Sequence, residues 1–410
     1  MAVNAVQICS ERIGALAPSG YRAGAAAAHV RGDGDRARLD VAILASEVPA
    51  SAAGVFTRNR LKAAPVVISQ LTLRRQRPVR AVVVNSGNAN ACTGPGGFRD
   101  ALRMCSLTAA ALELEPSEVL VCSTGVIGRS MPMERIAGGI SDAAALGDRT
   151  GEMLAQAMLT TDTRMKHAAS RFAHDGVVCT VGGVAKGAGM IHPDMATLLC
   201  LLTTDVAATP ETLQGVLRDA VDDSLNCMTV DGDTSPNDTV LLLANGAAGG
   251  AQCAPGSGLH AALREAVRDV CDDLAEQLVA DAEGSQRYFL VSVTGAADDA
   301  EARLAARAVA GSSLVKTAVH GADPNWGRIV AAVGRSGAAF TLDRCSVSIG
   351  GHTVLHNGIA DNTALDDVRS ALRAPRVDVD LTLGDGPGSA HCWGCELSAD
   401  YVHINADYTT

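Results

Sequence analysis

The chain has 410 residues, 47% of them hydrophobic but only 3% aromatic, so its core must be built from Ala, Val, Leu and Ile. A net charge of -11 argues against a nucleic-acid partner, because phosphate binding calls for a basic face. No stretch approaches an uninterrupted apolar membrane span, and Met1–Gln7 lacks a charged region followed by an apolar one, so the expectation is a soluble, cytoplasmic protein with no membrane partner.

In chain order, strand-like runs recur at Ala81–Val84, Val119–Cys122, Val177–Val181 and Leu198–Leu202. Thr209 as N-cap and Pro210 at the first position then announce a helix whose inner stripe is Leu213, Val216, Leu217 and Val221. Further strand-like runs at Thr239–Leu243 and Phe289–Val293 flank a second helix, read from Leu259, Leu263, Val267, Val270, Leu274 and Leu278. The apolar residues of the strand runs are contiguous or nearly so, which predicts strands covered on both faces. The result is an alternating α/β protein with buried sheets, no evident internal repeat, and no linker rich in Pro, Ser or charge to separate independent domains. Twelve cysteines lie scattered from Cys9 to Cys395 rather than at ligand spacing. The close pair in Cys392-Trp393-Gly394-Cys395 lacks the strand-to-helix setting of a redox motif, so reduced, buried thiols are expected.

Thr197 stands where a self-cleaving nucleophile would. A loop rich in glycine and proline, Lys186-Gly187-Ala188-Gly189-Met190-Ile191-His192-Pro193-Asp194-Met195-Ala196, precedes it, and the Leu198–Leu202 run follows. Threonine is a weak nucleophile at neutral pH until a base removes its proton, and one such base is the residue's own α-amine. Thr197 gains that amine only by cutting the bond from Ala196. Attack of its Oγ on the Ala196 carbonyl gives an ester that water hydrolyses, and the freed amine then activates the same Oγ toward an external acyl donor. Taken alone, the Ala-Thr pair reads as the opening of a buried strand.

The wider pattern changes that weighting. The Lys186–Thr197 segment, Gly54-Val55-Phe56-Thr57, Asn85-Ser86-Gly87-Asn88-Ala89-Asn90, Ser123-Thr124-Gly125-Val126-Ile127-Gly128 and Thr160-Thr161-Asp162-Thr163 form an ordered series. It continues with Thr229–Ser235, Lys316–Gly321, Asp323–Arg328 and Ile404–Thr410. Together these blocks resemble, over nearly the whole chain, the ornithine acetyltransferase family, also called glutamate N-acetyltransferases. The resemblance implies an α/β fold layered helix-sheet-sheet-helix. It also implies self-cleavage into an α chain of residues 1–196 and a β chain of 197–410, entangled in one core and assembled as two α and two β chains. The implied activity is ping-pong transfer of acetyl from N2-acetyl-ornithine to glutamate in arginine biosynthesis. No metal or redox cofactor is required, and acetyl-CoA as an additional donor is left open.

The resemblance also assigns residues. Thr197 is the nucleophile, and Thr124 and Gly125 form the oxyanion hole, where glycine lets backbone approach and the hydroxyl is a second donor. Thr163, Lys186, Thr197, Glu283, Asn405 and Thr410 would bind substrate: a lysine can hold an α-carboxylate, and a glutamate can hold the ammonium of ornithine. The C-terminal residues should therefore fold over the pocket. Ala282, Gln286, Arg287 and Tyr288 depart from the family's usual pattern around Glu283. That departure keeps open a paralogue acting on a non-standard amino acid in a specialised pathway; a second alternative is an amidase or aminopeptidase of the related self-cleaving fold, in which water resolves the acyl-enzyme. His192 reads as a loop histidine, and His320 and Asp323 as parts of a hydrogen-bonded turn.

Overall fold

The computed structural model describes residues 12–32, 37–192 and 198–407. Ala196, Thr197 and Thr410 lie outside them. Among the described residues an eight-stranded sheet runs in the order Val119–Ser123, Val79–Asn85, Val41–Phe56, Thr239–Ala244, Leu199–Thr204, Val177–Lys186, Lys166–His174, with Tyr21–Ala26 also paired to Val41–Phe56. The strand Val41–Phe56 is 16 residues long, and its pairing with Val79–Asn85 shifts register between Ala45 and Ala50. A bulge of this kind bends a strand and sharpens its twist. The two halves of the sheet consequently face each other: Leu44, Val82 and Leu120 of one half share an apolar cluster with Val184, Leu201 and Leu241 of the other. The buried Tyr21 hydroxyl reaches across to the carbonyls of Thr204 at 3.0 Å and Leu243 at 2.9 Å.

Helices close both outer faces. Ala64–Leu73, Gly94–Leu112 and Met133–Ala143 cover Ile43, Val83 and Val121, while Pro210–Asp223 and Gly258–Ala280 cover Val181, Leu202 and Val240. The fold is therefore the expected layering of helix, sheet, sheet and helix. The sequence signals for the last two helices hold in detail. Thr209 accepts from the Thr212 amide and Ser257 from the His260 amide as N-caps, and all six residues of the predicted Leu259-to-Leu278 stripe are buried.

A second, seven-stranded sheet runs Ile359–Ala360, His352–His356, Ser346–Ile349, Arg376–Thr382, Tyr288–Ala296, Gly388–Cys395, Met228–Thr229. Helices Asp299–Ala310, Ser313–Gly321 and Gly327–Gly334 pack on the face carrying Phe289, Val291 and Val293. The opposite face joins the first core through Met228, Trp393 and Cys395, which cluster with helix Gly258–Ala280. The strand Tyr288–Ala296 thus departs from the expectation of burial on both faces, because Leu290 and Ser292 are only half-buried. Cys392 and Cys395 lie three apart on one strand and so face opposite sides of it, one in each apolar cluster. All eleven described cysteines are free thiols, and ten are buried. No helix among the described residues is long and apolar enough to cross a membrane.

Candidate active site

The turn after strand Val119–Ser123 is the first part of the site. Its shape is set by the Asn85–Asn90 block: the Ser123 hydroxyl donates to Asn85 Oδ1 at 2.6 Å, the Thr124 amide donates to the Asn85 carbonyl at 3.0 Å, and Asn85 Nδ2 donates to the Asn88 carbonyl at 2.9 Å. From across the core, Asn237 Nδ2 donates to the carbonyls of Ala89 and Ser123 at 2.6 and 2.8 Å. Gly125 adopts φ of +130°, and a Cβ there would lie 2.4 Å from the Gly87 carbonyl carbon. Only glycine fits. Among the described residues the Gly125 amide has no hydrogen-bond partner, and Gly125 lines a cavity of about 160 Å³.

Lys186, the last residue of strand Val177–Lys186, lines the same cavity and is only 8% exposed. Its ammonium donates to Thr124 Oγ1 at 3.3 Å. A lysine ammonium can only donate, so the Thr124 hydroxyl hydrogen remains available for an oxygen in the cavity. Burial pushes the Lys186 ammonium below its usual pKa even though Asp162, Glu283 and Asp238 favour its charge. Asp162 sits behind it with its side chain fully buried, accepting from the amides of Gly187 at 2.6 Å and Thr160 at 3.0 Å and from Lys166 Nζ. Burial would raise the Asp162 carboxyl, but Lys186 and Lys166 outweigh it and hold the group well below the usual carboxylate range. Lys166 also donates to Asp281, just past the end of helix Gly258–Ala280. A buried charge network thus ties the Thr160–Thr163 block to the strand that delivers Lys186.

Glu283 and Asn405 complete the wall. The Glu283 amide donates to the Ala188 carbonyl at 3.0 Å, and its carboxylate lies where a Cβ on Gly189 would come within 2.5 Å. Asn405 Nδ2 donates to Glu283 Oε2 at 2.9 Å. It projects from helix Ala399–Asp407, which also brings Tyr401 to the cavity. The helix is anchored by Ser398, whose hydroxyl donates to the Gly284 carbonyl at 2.6 Å and accepts from the Tyr401 amide at 3.1 Å. None of the residues that depart from the usual pattern around Glu283, namely Ala282, Gln286, Arg287 and Tyr288, lines the cavity. The amides of Gln286 and Arg287 donate to the buried Glu396 carboxylate at 2.6 and 3.0 Å, and the Tyr288 hydroxyl donates to Glu276 at 2.9 Å. His320 contacts the same Glu396 at 2.9 Å, and Arg328 pairs with Asp323 at 3.6 Å.

Five of the residues singled out in the sequence, Thr124, Gly125, Lys186, Glu283 and Asn405, therefore line one cavity, together with Leu198, the residue directly after Thr197. Thr163 is exposed and is not in the cavity wall; its hydroxyl and amide both donate to Asp281, the amide at 3.0 Å. Ala196, Thr197 and Thr410 fall outside the described residues. Sequence reasoning gave no role to Asp231, Asp233 and Tyr401, which line the cavity as well. Asp231 and Asp233 were visible in the Thr229–Ser235 block, and Tyr401 stands one helical turn before Asn405. With Asp238 and Glu283, the described part of the wall sets four carboxylates beside the ammonium of Lys186, an electrostatic setting that favours a ligand carrying its own cation.

Comparison with known proteins places the chain. The ArgJ family model matches residues 22–410. The chain is 46% identical over 393 residues to the arginine biosynthesis bifunctional protein ArgJ of Dehalococcoides mccartyi, covering 96% of each chain. It is 47% identical over 400 residues to the protein of the same name from Symbiobacterium thermophilum, covering 97% of this chain and 98% of that one. A crystal structure of arginine biosynthesis bifunctional protein ArgJ from Bacillus halodurans is 39% identical, with a TM-score of 0.49, and the match covers 50% of this chain and 97% of that one.

Proposed function

The chain belongs to the ArgJ family, and from that premise we propose that it is a self-processing acetyltransferase of arginine biosynthesis, moving acetyl from N2-acetyl-ornithine to glutamate. The observation that carries the reading is the convergence of Thr124, Gly125, Lys186, Glu283 and Asn405 on the cavity that Leu198 also lines. In maturation, Thr197 Oγ attacks the Ala196 carbonyl carbon and the Ala196–Thr197 C–N bond breaks. Water then hydrolyses the resulting ester, leaving chains 1–196 and 197–410 and a free amine on Thr197. In turnover that amine takes the Oγ proton, and Oγ attacks the acetyl carbonyl of N2-acetyl-ornithine. Ornithine leaves with the proton, and glutamate accepts acetyl from the threonine ester.

The oxyanion of each tetrahedral intermediate is held by the Thr124 hydroxyl and the Gly125 amide, a role supported by both residues lining the cavity. Lys186 holds the α-carboxylate shared by both amino acids, and Glu283 with Asn405 receives the δ-ammonium of ornithine, with Thr410 as a further substrate contact; Thr163, outside the cavity wall and bonded to Asp281, instead braces the charge network behind Lys186. Because Ala282, Gln286, Arg287 and Tyr288 lie outside the cavity wall, their departure from the family pattern gives no support to a non-standard substrate. The free thiols support a reducing, cytoplasmic setting, and an assembly of two α and two β chains belongs to the same proposal. The test is incubation with N2-acetyl-ornithine, with and without glutamate, while the protein is followed by mass spectrometry. N-acetyl-glutamate, a new amino terminus at Thr197 and an acetyl adduct on that residue are expected. Acetate without N-acetyl-glutamate would instead identify a hydrolase.

A further inference from the structure

The chain leading toward the proposed cut is gripped at three successive residues by one short segment, Thr229–Thr234. Asp231 Oδ2 accepts from the Met190 amide at 2.6 Å, and its Oδ1 accepts from the Ile191 amide at 2.9 Å. The Ile191 carbonyl accepts from the Val230 amide at 2.6 Å and from the Thr229 hydroxyl at 3.3 Å. The His192 carbonyl accepts from the Thr234 hydroxyl at 2.8 Å. Arg307 Nη2 lies 3.1 Å from His192 Nε2, and His192 Nδ1 lies 2.9 Å from Thr229 Oγ1. Since a guanidinium can only donate, Nε2 accepts and Nδ1–H donates to Thr229. Both ring nitrogens of His192 are therefore engaged in holding the chain rather than presented as a base.

Met190 has a φ of +54°. A non-glycine residue stays in that region only where its surroundings over-determine it, and here the determinant is the paired acceptance by Asp231. These bonds belong to no sheet ladder or helix, so the fold does not need them for its regular structure. They fix the direction in which the backbone sets out toward Ala196. An attack by a hydroxyl on the preceding carbonyl depends steeply on such positioning.

We infer that Asp231 is a positioning residue for maturation: by clamping the Met190 and Ile191 amides it sets the approach of the scissile carbonyl to Thr197. This rests on the self-processing reading above. The neighbouring hydroxyl and backbone donors of Thr229–Thr234 complete the clamp. The same contacts hold Met190, Ile191 and His192 beside the cavity, which Asp231 also lines.

The test follows conversion of the 41.9 kDa chain after a pulse of cell-free synthesis, for wild type, Thr197→Ala, Asp231→Ala and the isosteric Asp231→Asn. Loss of two charge-assisted bonds should lengthen the processing half-time by about tenfold or more in both Asp231 variants, while their uncleaved precursors melt within a few degrees of Thr197→Ala. Soluble Asp231→Asn that is processed at the wild-type rate overturns the inference, and so does slowing that is matched by a large fall in Tm. If Asp231→Ala is insoluble, Asp231→Asn decides. A wild type that stays uncleaved, or a Thr197→Ala chain that is cut at the same bond, sinks the self-processing reading instead and leaves a different signature on the gel.

Discussion

Replacing Thr124 by alanine removes one of the two donors proposed for the oxyanion and little else. The Thr124 side chain is half-buried, and its one described side-chain hydrogen bond is the acceptance from Lys186 Nζ at 3.3 Å. Lys186 keeps the favourable field of Asp162 and Glu283 when that bond is lost. The stability penalty should then be about 1 kcal/mol, the usual net worth of one hydrogen bond, which for a chain of this length is a fall in Tm of only about 1–2 °C. The effect on chemistry is far larger, because the hydroxyl acts where charge develops in a site screened from water. Loss of a single oxyanion donor typically lowers kcat by about 10²–10³-fold. Thr124→Ser, which keeps the hydroxyl, should stay within about tenfold of wild type. The assay is kcat for acetyl transfer from N2-acetyl-ornithine to glutamate, with Tm measured on the same preparations. An alanine variant that retains kcat within about threefold would refute the assignment, and so would a Tm loss beyond about 10 °C, which would mean that the residue holds the turn rather than the oxyanion.

Glu283→Gln keeps an acceptor for Asn405 but removes the charge facing the substrate ammonium; KM for N2-acetyl-ornithine should rise about 10–100-fold with kcat little changed, read from initial rates. Asp162→Asn leaves Lys166 and Lys186 buried with half their countercharge. It should cost about 3–5 kcal/mol, or roughly 5 °C in Tm. Because the Asp162 carboxyl is depressed in the fold from its ordinary 3.8, its contribution is fully present above that pH and is lost as the pH falls through the folded value. The difference in Tm between wild type and variant should therefore be constant from pH 5 to pH 8 and shrink in acid. Deleting residues 400–410 removes most of a helix that has no fully buried residue. Tm should fall by no more than about 3 °C, whereas KM for the amino-acid substrates should rise at least about tenfold, since Tyr401 and Asn405 leave the cavity wall.

The parts of the fold legible in sequence were those whose burial leaves a local trace. Contiguous aliphatic runs such as Thr239–Leu243 marked central strands because helix and sheet cover both their faces. The strand Val41–Phe56 carries such a trace only at its start, Val41-Ala42-Ile43-Leu44-Ala45; its middle residues Glu47, Val48 and Pro49 are exposed where it bends, and the half beyond them is rich in small residues. Arg376–Thr382 alternates buried and exposed residues along its length, a period-2 signal overlooked in favour of unbroken runs. At the site, Thr124, Gly125 and Lys186 stand in short motifs. The part played by the Asn85–Asn90 block becomes evident only when Asn237, 114 residues beyond Ser123, is seen bonding both segments. Asp231 and Asp162 stand in short motifs too, but the partners that give them their work do not. Each works through backbone amides far along the chain, at separations of 40 and 25 residues, and no local periodicity encodes such a partner.

That long-range construction bears on how a chain could be cut in the middle of its own active site and still work. The cavity takes Thr124, Gly125 and Lys186 from upstream of Ala196–Thr197, and Leu198, Asp231, Glu283 and Asn405 from downstream, so neither half holds a complete site. What keeps the halves together is the sheet itself. Strand Val177–Lys186 pairs antiparallel with Leu199–Thr204 from Val181↔Thr204 to Lys186↔Leu199, and Val41–Phe56 pairs with Thr239–Ala244 from Ser51↔Ala244 to Phe56↔Thr239. The strands on either side of the proposed cut, ending at Lys186 and beginning at Leu199, are thus paired with each other, within apolar clusters drawn from both sides. Breaking the one peptide bond would leave these ladders and clusters intact. A fold in which consecutive strands of one central sheet straddle the scissile bond can release a nucleophile's amine without releasing a chain.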